Sequence, residues 1–249
     1  MSAKSTAKRL DALLVERGLA DTTAKAQAMI LAGEVSVDGA RAEKAGTHFP
    51  PEARIEVTTR AGKFVSRGGL KLEGALNDFA IDPTARVCLD VGSSTGGFTD
   101  CLLQRGAAHV YAVDVNVDQL AWKLRQDPRV IRISRNARNL RPADIPEPID
   151  LVAIDVSFIS VTKVLPTAAA AARPGADLLI LVKPQFELPR EDVAAGGIVC
   201  DPALHQKAIA TVREAASQLQ LEILGVRPSH LPGAEGNLEY FLHARKPVR

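Results

Sequence analysis

The sequence predicts an α/β fold in which helices cover both faces of a mostly parallel sheet. After Ala85, short apolar runs such as Val87–Val91 and Leu178–Val182 alternate with helical stretches such as Pro202–Gln218. Such alternation is typical of parallel sheets. Before Lys71, two short helical patterns are followed by hairpin signals. That order indicates a separate, small α+β domain at the start of the chain.

The composition is that of a soluble globular protein. The chain has 249 residues, of which 46% are hydrophobic and 24% charged, enough for one large domain or two unequal ones. Leu178–Val182 is far shorter than the roughly 20 apolar residues of a membrane-spanning helix, and the first nine residues lack the apolar core of a signal peptide. The three cysteines show no metal-ligand spacing. We therefore expect a cytoplasmic protein with no membrane contact, no metal site and no stable protein partner.

Positive charge is unevenly distributed. Residues 1–71 hold 12 Lys/Arg against 8 Asp/Glu, although the whole chain carries only +2. A second concentration of arginines runs from Lys123 to Arg141, with Asp127 as the only acid in it. A basic segment on a near-neutral body suggests that a polyanion is held there, and phosphate contact is a reasonable expectation. An ordinary solvated surface is the competing interpretation.

The first 58 residues predict two helices and a small hairpin. A helix opening near Thr6 and ending at Gly18 would place Leu10, Leu13 and Leu14 on one face. The second helix, Ala24–Leu31, has capping candidates from Asp21 and a stop at Gly33. The predicted strands are Val35–Val37, which precedes the Asp38-Gly39 turn, and Ile55–Val57.

This segment resembles the RNA-binding domain shared by an S-four-type ribosomal protein, pseudouridine synthases and tyrosyl-tRNA synthetases. The matching residues are Arg9–Leu14, Thr23–Gln27 and Gly33–Gly39. The resemblance implies an RNA-binding domain over residues 1–58, followed by a linker over 59–64 and a second domain over 65–249. The phosphate contacts implied by it are Arg9, Arg17, Lys25, Arg41 and Lys44, to which we add Arg67 at the start of the second domain.

A glycine-rich turn marks a ligand-binding corner. The strand Val87–Val91 leads into the turn Gly92–Phe98 and a predicted helix, Thr99–Arg105, while the next strand, Val110–Asp114, ends in an acid suited to ribose hydroxyls. A dinucleotide fingerprint would need glycine at position 94, which is serine. The observed Asp-x-Gly-x-x-x-Gly-Gly resembles the S-adenosylmethionine motif of class I methyltransferases. A methyl donor is therefore favoured over a dinucleotide.

Four charged residues occupy positions that a structural role explains poorly. Asp155 and Lys183 each follow an apolar strand, where ligands collect in open α/β sheets. Lys71 lies at the entrance to a predicted helix, and Glu239 lies at the start of the final strand, Tyr240–Leu242. Unpaired buried charges are costly, so four of them at such positions favour a chemical role. A stabilising ion pair between any two of them is the alternative.

Several motifs together resemble one family over nearly the whole chain: Val65–Leu72, Asp90–Leu103, Gln119–Trp122, Asp155–Ser160, Leu181–Glu187 and Gly236–Phe241. The chain is similar to the TlyA-type proteins, once labelled hemolysin A, which join an S-four-type domain to an FtsJ-like (RrmJ-type) methyltransferase domain. The resemblance implies a class I, Rossmann-like fold. It also implies transfer of a methyl group from S-adenosylmethionine to the ribose 2′-hydroxyl of cytidine in ribosomal RNA, with the ribosomal subunit as partner.

The resemblance also assigns site residues. The family's catalytic tetrad corresponds to Lys71, Asp155, Lys183 and Glu239. Lys183 is the predicted base, and Asp155 and Glu239 would orient the two amines. The implied cofactor contacts are Asp90, Gly92, Ser93, Thr95, Gly96, Gly97, Phe98, Asp114, Val115, Asn136 and Ala137.

The chain departs from the family pattern in two places. Val115 and its neighbours replace glycines that commonly follow Asp114 in the family, and the chain ends soon after Phe241, as in members that modify large-subunit RNA alone. Three other functions stay open at this point. They are base methylation on nitrogen, whose motif Asp155–Phe158 matches without its prolines; a non-catalytic RNA-binding assembly factor; and a pore-forming hemolysin, which no amphipathic array supports.

Overall fold

The computed structural model describes residues 7–20, 22–31, 35–42, 44–57, 63–194, 196–233 and 236–248. The chain divides into two compact units, residues 1–62 and 63–249. The predicted helix start at Thr6, the cap at Asp21, the stop at Gly33 and residues 59–62 of the predicted linker lie outside the described residues.

In its described residues, the first unit contains two helices and five short strands. They enclose one hydrophobic core, which includes Leu10, Leu14, Met29, Ile30 and Val35. Its helices are α1 (Leu10–Glu16) and α2 (Thr23–Leu31), and its strands are β1 (Lys8–Arg9), β2 (Val35–Val37), β3 (Ala40–Arg41), β4 (His48–Phe49) and β5 (Ile55–Val57). The strands form a three-stranded antiparallel sheet, β3-β2-β5, and a β1-β4 pair. The first helix therefore begins later than predicted, because Lys8 and Arg9 pair with β4 as a strand.

A buried carboxylate joins α1 to α2 in this unit. Asp11 accepts hydrogen bonds from Nε and Nη2 of Arg9 at 3.0 and 2.7 Å and from Nε2 of Gln27 at 2.9 Å. The paired Arg9 guanidinium is the main reason why the pKa of Asp11 lies well below its usual range. Breaking such a buried pair from one side leaves an uncompensated charge. Arg9 and Asp11 thus stabilise the fold of the first unit.

The second unit is built on one seven-stranded sheet in the order β11-β12-β10-β9-β6-β7-β8. The five strands β10-β9-β6-β7-β8 are parallel, and β12 runs antiparallel between β10 and β11. The strands are β6 (Val87–Val91), β7 (His109–Asp114), β8 (Val130–Ser134), β9 (Ile149–Ile154), β10 (Ala172–Val182), β11 (Glu222–Pro228) and β12 (Tyr240–Arg245). The helices are α3 (Arg67–Asp78), α4 (Gly97–Gln104), α5 (Trp122–Arg125), α6 (Leu165–Ala171), α7 (Pro184–Glu187) and α8 (Pro202–Gln218).

The predicted α/β class, the mostly parallel sheet and the closing antiparallel strands are confirmed. Some boundaries differ. The helix predicted from Thr99 begins at Gly97, and the strand predicted from Leu178 begins at Ala172. The pairing of that strand with β9 is irregular between Ala172 and Asp177. The Arg173-Pro174-Gly175 sequence has the composition of a turn, which hid the first part of the strand.

Strand order reverses on either side of β6, because the chain proceeds to β7 and β8 on one side and to β9 and β10 on the other. Ligands of open α/β sheets bind at the carboxyl ends of the strands beside such a switch point. Val91 and Ile154 pair there at the ends of β6 and β9. The residues that follow these two strands are therefore candidates for ligand binding.

The opposite end of the sheet is held by a buried carboxylate. Asp177 on β10 accepts hydrogen bonds from Arg86, His243 and Arg245 at 2.8 to 3.0 Å. Burial alone would raise the pKa of Asp177, but these bonds outweigh it and keep the pKa below its usual range. The cluster ties β12 to β10 at the end of the sheet away from the switch point.

Helices α3 and α4 approach each other through glycine. A Cβ on Gly97 would lie 2.9 Å from the backbone nitrogen of Gly69 and 3.2 Å from the Cα of Gly68. Backbone atoms cannot yield as a flexible side chain can. The close approach sets the position of α3 and hence of Lys71 within it.

We expect Gly97→Ala to lower the free energy of unfolding by about 1 to 3 kcal/mol, because the added methyl group overpacks two backbones. Urea denaturation of the full chain measures it. Gly68→Ala is the matched control, since its Cβ would meet its nearest neighbour at 3.5 Å, an ordinary contact. Equal stability of the two variants would contradict this account of the helix contact.

Candidate functional site

The turn after β6 is held against the end of β9. Gly92 has a φ of +88°, a conformation that favours glycine, and a Cβ there would lie 2.1 Å from the carbonyl oxygen of Asp155. The amides of Gly92 and Ser93 both donate to the carbonyl oxygen of Val113, at 2.9 and 3.1 Å. The turn is therefore fixed between β7 and β9 at the switch point of the sheet.

Two cavities open on either side of this turn and share Gly92, Ser94 and Asp155 as lining residues. The first has a volume of about 190 Å³ and the second about 430 Å³. The predicted residues that line the first are Arg67, Lys71, Ser93, Thr95, Gly97 and Phe98. Those that line the second are Asp114, Val115, Asn136 and Ala137. Most of the predicted site residues are thus grouped around one turn.

Lys71 and Glu239 form a buried ion pair at the first cavity. The Nζ atom of Lys71 lies 2.5 Å from Oε2 of Glu239, and the two side chains are only 10% and 2% exposed. Lys71 comes from the fifth position of α3, whereas Glu239 directly precedes β12. Each charge compensates the other, which a burial of this extent requires.

Lys183 forms the second ion pair. Its Nζ lies 2.6 Å from Oδ1 of Asp155 and donates a 2.9 Å hydrogen bond to Oγ of Ser157. The ring centroid of Phe186 lies 5.9 Å from the same nitrogen, close enough for a cation–π contact. Lys183 directly follows β10, and Asp155 directly follows β9. The amine is thus held from three sides.

The four predicted charged residues converge through the register of the sheet. Val182 pairs with Tyr240, so Lys183 and Glu239 lie one residue beyond the same rung. Lys71 and Asp155, which belong to different ion pairs, line the same cavity. The structure therefore brings the four together as two ion pairs at one edge of the sheet.

Asp90 is fully buried behind the turn. Thr99 Oγ1 donates to its Oδ2 at 2.6 Å, while Oδ1 has no hydrogen-bond partner among the described residues. Burial raises the pKa of Asp90 to about 7, and the nearby Asp155 carboxylate adds to the rise. The buried hydroxyl of Ser93 likewise has no partner in the described part of the chain. Because buried polar atoms are normally paired, the Ser93 hydroxyl, which lines the first cavity, has capacity for a polar ligand. Asp90 is fully buried and could act on such a ligand only through its charge.

Asp114 closes the second cavity at the end of β7. Its Oδ2 accepts the Ser94 amide at 2.9 Å and its Oδ1 accepts the Asn116 amide at 3.1 Å. Each carboxylate oxygen keeps a further lone pair for a hydroxyl donor. Asn136 uses its side-chain oxygen to accept the Arg138 amide at 3.0 Å. The neighbouring Val115 is largely exposed and offers an apolar wall.

Two of the predicted cofactor residues lie behind the cavities. Asp90 and Gly96 are not among the described residues that line either one. Gly96 has a φ of +95°, and a Cβ there would meet Leu124 Cδ1 at 2.2 Å. Its glycine identity thus serves the turn and the packing of α5.

Sequence reasoning missed three residues of the site. Ser157 holds Lys183, as described above. Phe158 is 89% exposed and has a φ of +67°, which is rare for an aromatic residue and which often accompanies function. Its ring lies 5.6 Å from that of Phe186, and it lines the second cavity. The only sequence signal was its place in the Asp155–Phe158 motif.

Glu187 is the third. Its Oε2 accepts Ser160 Oγ at 2.5 Å and its Oε1 accepts the Val161 amide at 2.8 Å. Burial raises the pKa of Glu187 despite these bonds. The carboxylate ties the loop after β9 to the helix after Lys183. Its role depends on contacts between distant segments, so no local sequence pattern predicts that role.

The predicted RNA contacts of the first unit differ in their availability. Arg9 is engaged by Asp11, and the Arg17 guanidinium donates to the carbonyl oxygens of Pro51 and Ala53. In contrast, Lys25, Arg41 and Lys44 are exposed and form no ion pair within the described part of this unit.

In the second unit, Arg67 is exposed at the first cavity and donates to the Pro232 carbonyl oxygen at 3.3 Å. Most of the basic run between Lys123 and Arg141 is engaged by carboxylates. The ion pairs are Lys123–Asp100, Arg129–Asp127, Arg132–Asp118, Arg135–Asp144 and Arg141–Asp144. Its charge is therefore partly balanced, which reduces the excess suggested by the sequence.

Comparison with known proteins identifies both units. Residues 64–246 match the FtsJ-like methyltransferase family, and residues 8–55 match the S4 domain. The chain is 48% identical over 239 residues to the Mycobacterium tuberculosis protein named 16S/23S rRNA (cytidine-2′-O)-methyltransferase TlyA, covering 95% of this chain and 89% of that protein.

The chain is also similar to proteins of known structure. A Streptococcus thermophilus protein that carries a hemolysin name superposes with a TM-score of 0.76 at 39% identity, covering 98% of this chain and 90% of that one. An S-adenosylmethionine-dependent methyltransferase from Mesorhizobium loti matches 71% of this chain and 98% of its own at 16% identity, with a TM-score of 0.54. At that identity the second likeness concerns the fold alone.

The buried carboxyl of Asp90 predicts a pH dependence of stability. Because its pKa is raised in the folded state, Asp90 contributes stability below about pH 4 that is lost as the pH rises through about 7. We expect the free energy of unfolding of the natural chain, relative to Asp90→Asn, to fall by up to about 1.4 kcal/mol per pH unit in that interval. Urea denaturation between pH 4 and 8 measures it, and parallel curves for the two proteins would contradict it.

Proposed function

The chain belongs to the TlyA family of FtsJ-like methyltransferases, and we propose that it transfers a methyl group from S-adenosylmethionine to the ribose 2′-hydroxyl of a cytidine in ribosomal RNA. The observation that carries this proposal is the Lys183–Asp155 pair, 2.6 Å apart, at the edge of the cavities around the Gly92 turn. The reaction removes a proton from a weakly acidic hydroxyl, so an amine held beside the reacting oxygen is the group it requires.

Lys183 is the proposed base. Asp155 and Ser157 hold its nitrogen in place. After the ammonium of the ion pair has given one proton to solvent, the neutral amine would receive the 2′-hydroxyl proton while the ribose oxygen attacks the methyl carbon and the methyl–sulfur bond breaks. Lys71, itself held by Glu239, is a second cation at the first cavity and can stabilise negative charge that develops on that oxygen. Positioning is the other contribution, because the reacting atoms are brought into line before proton transfer.

The proposed methyl-donor site spans both cavities. The donor supplies a methyl group on a positively charged sulfur, which is a good leaving group. Ser93, Thr95 and Phe98 would surround its methionine part in the first cavity. Asp90 would favour its positive charge from behind the turn. In the second cavity Asp114 would accept the ribose hydroxyls of the donor, while Val115, Asn136 and Ala137 would lie against its adenine.

The RNA would be held by exposed cations and an aromatic ring. Lys25, Arg41 and Lys44 on the first unit and Arg67 on the second are free to approach phosphates. The exposed ring of Phe158, at the second cavity, offers a flat face on which the target base can stack after it leaves its helix.

The alternative functions are less well supported. Base methylation on nitrogen lacks both prolines of the Asp155–Phe158 motif. A non-catalytic assembly factor has no need of two buried amine–carboxylate pairs beside a cavity. For a pore-forming hemolysin, no helix among the described residues is long and apolar enough to cross a membrane.

The test of the proposal is to map methyl groups on ribosomal RNA from cells with and without the gene, and to determine chemically whether each lies on ribose or base. A cytidine whose ribose is methylated only when the gene is present supports the proposal. Methylation on a base, or no difference between the two RNAs, would reject it.

We expect Lys183→Ala to lower kcat for ribose methylation by about 100- to 10,000-fold, as for removal of a general base, with unchanged affinity for S-adenosylhomocysteine. Single-turnover assays and calorimetry measure the two effects. Lys207→Ala, which removes an exposed lysine paired with Asp192, is the matched control and should retain full activity. A fully active Lys183→Ala enzyme would exclude the proposed base.

The triple variant Lys25→Ala, Arg41→Ala, Lys44→Ala should bind ribosomal RNA more weakly and with a weaker salt dependence. Removing one phosphate contact reduces the slope of log affinity against log salt by about 0.7 to 0.9. Filter binding at several salt concentrations measures the slope. Arg54→Ala, which removes an arginine paired with Glu56, is the control; a triple variant with the natural slope would contradict the assignment.

A further inference from the structure

The only tryptophan of the chain lies on the surface. Trp122, the first residue of α5, is 67% exposed. Tryptophan is usually largely buried, and an exposed one often marks a binding surface. The core of the second unit, the proposed base and the proposed donor site make no use of this ring, so its exposure calls for another role.

The position of Trp122 is set by the turn beside the first cavity. The preceding residue, Ala121, donates its amide to the carbonyl oxygen of Thr95 at 3.1 Å, and Thr95 lines that cavity. Leu124, on the same short helix, is buried against Gly96. Helix α5 is thereby fixed to the glycine-rich turn, and Trp122 directly follows the residue that bonds to the wall of the first cavity.

Arg125 accompanies the ring. The central carbon of its guanidinium lies 5.3 Å from the centroid of Trp122, a cation–π contact. Arg125 forms no ion pair with any described carboxylate, and its buried Nε has no hydrogen-bond partner among the described residues. Arg129, Arg135 and Arg141, in contrast, each form an ion pair with a carboxylate. The positive charge of Arg125 is therefore available to an anion.

We propose that Trp122 and Arg125 form a platform for an unpaired nucleotide that flanks the methylated one in the RNA. The inference rests on the proposed function, since it assumes an RNA substrate. The base would stack on the indole ring, and the guanidinium would attract the adjacent phosphate. An aromatic ring combined with a free cation is the usual means of holding single-stranded nucleic acid.

The charges argue against a second copy of the chain as the occupant. A symmetric dimer through this surface would place the patch against itself. Arg125, which has no ion-pair partner among the described carboxylates, would then face the same arginine on the partner, which is unfavourable. RNA carries the complementary charge on its phosphates and an exposed ring on each unpaired base.

The first measurement is the fluorescence of the natural, full-length chain. Because Trp122 is the only tryptophan, its emission reports on this surface alone. We expect single-stranded octacytidylate to quench the emission. A blunt RNA duplex at equal phosphate concentration should quench it much less, because duplex bases are not free to stack. Equal quenching by both RNAs, or by neither, would overturn the proposal.

The second measurement is the affinity of variants for fluorescein-labelled octacytidylate, followed by anisotropy. Trp122→Ala should raise Kd about 30-fold, the middle of the range for loss of one stacked base, whereas Trp122→Phe should keep most of the affinity. Arg125→Ala should weaken binding more than Arg141→Ala, which removes an exposed but paired arginine from the same region. An unchanged Kd in Trp122→Ala would exclude the platform.

Two controls separate this role from others. Affinity for S-adenosylhomocysteine should be unchanged in Trp122→Ala; an equal loss would indicate that the residue only supports the glycine-rich turn. Sedimentation without RNA should show no association that Trp122→Ala abolishes, since such association would assign the surface to a second copy. Ribose methylation without stacking would reject the platform alone, and stacking without ribose methylation would reject the proposed reaction alone.

Discussion

The contact between the turn after β6 and the end of β9 is the constraint on which the site depends. Only a residue without a side chain fits at Gly92, because the Asp155 carbonyl oxygen occupies the space of a Cβ. The Asp155 amide also donates to the Val91 carbonyl oxygen at 2.9 Å. These two short contacts place the glycine-rich turn and the Asp155 carboxylate on the same cavity. The proposed donor site and the proposed base are adjacent for this reason.

Charge is arranged differently at the two ends of the sheet. At the Asp177 end, one carboxylate receives three basic side chains and its pKa is lowered. At the other end, the amines of Lys71 and Lys183 are each given one carboxylate. Behind the turn, one oxygen of Asp90 has no partner among the described residues, and the pKa of that carboxyl is raised. The first arrangement is fully satisfied and stabilises the sheet. The second leaves room for a positively charged ligand to complete it.

The sequence predicted the site residues that a local pattern marks and missed those whose roles arise from contacts between distant segments. Asp155 and Lys183 could be found because each follows an apolar run, and strand ends share one edge of a parallel sheet. Ser157 and Glu187 could not, because their roles arise from contacts with Lys183 and with Ser160 and Val161. The start of β10 was hidden by Arg173-Pro174-Gly175, whose turn-like composition was overridden by pairing with neighbouring strands.

The first unit shows a limit of another kind. A resemblance to RNA-binding domains marks basic positions, but it does not distinguish a cation that meets RNA from one that holds its own fold. Arg9 and Arg17 are engaged within the unit, while Lys25 is not. Only the partners of each side chain, seen in three dimensions, separate the two uses.

The Lys71–Glu239 pair joins residues 168 positions apart, and this separation governs when the site exists. During synthesis the helix that carries Lys71 emerges early, whereas β12, which must enter between β10 and β11, is made long afterwards. A nascent chain that extends only to β11 contains the glycine-rich turn but lacks one of the two carboxylates. Such long-range contacts form late in folding, so a ribosome-bound precursor would acquire its methylating capacity only after β12 is inserted between β10 and β11.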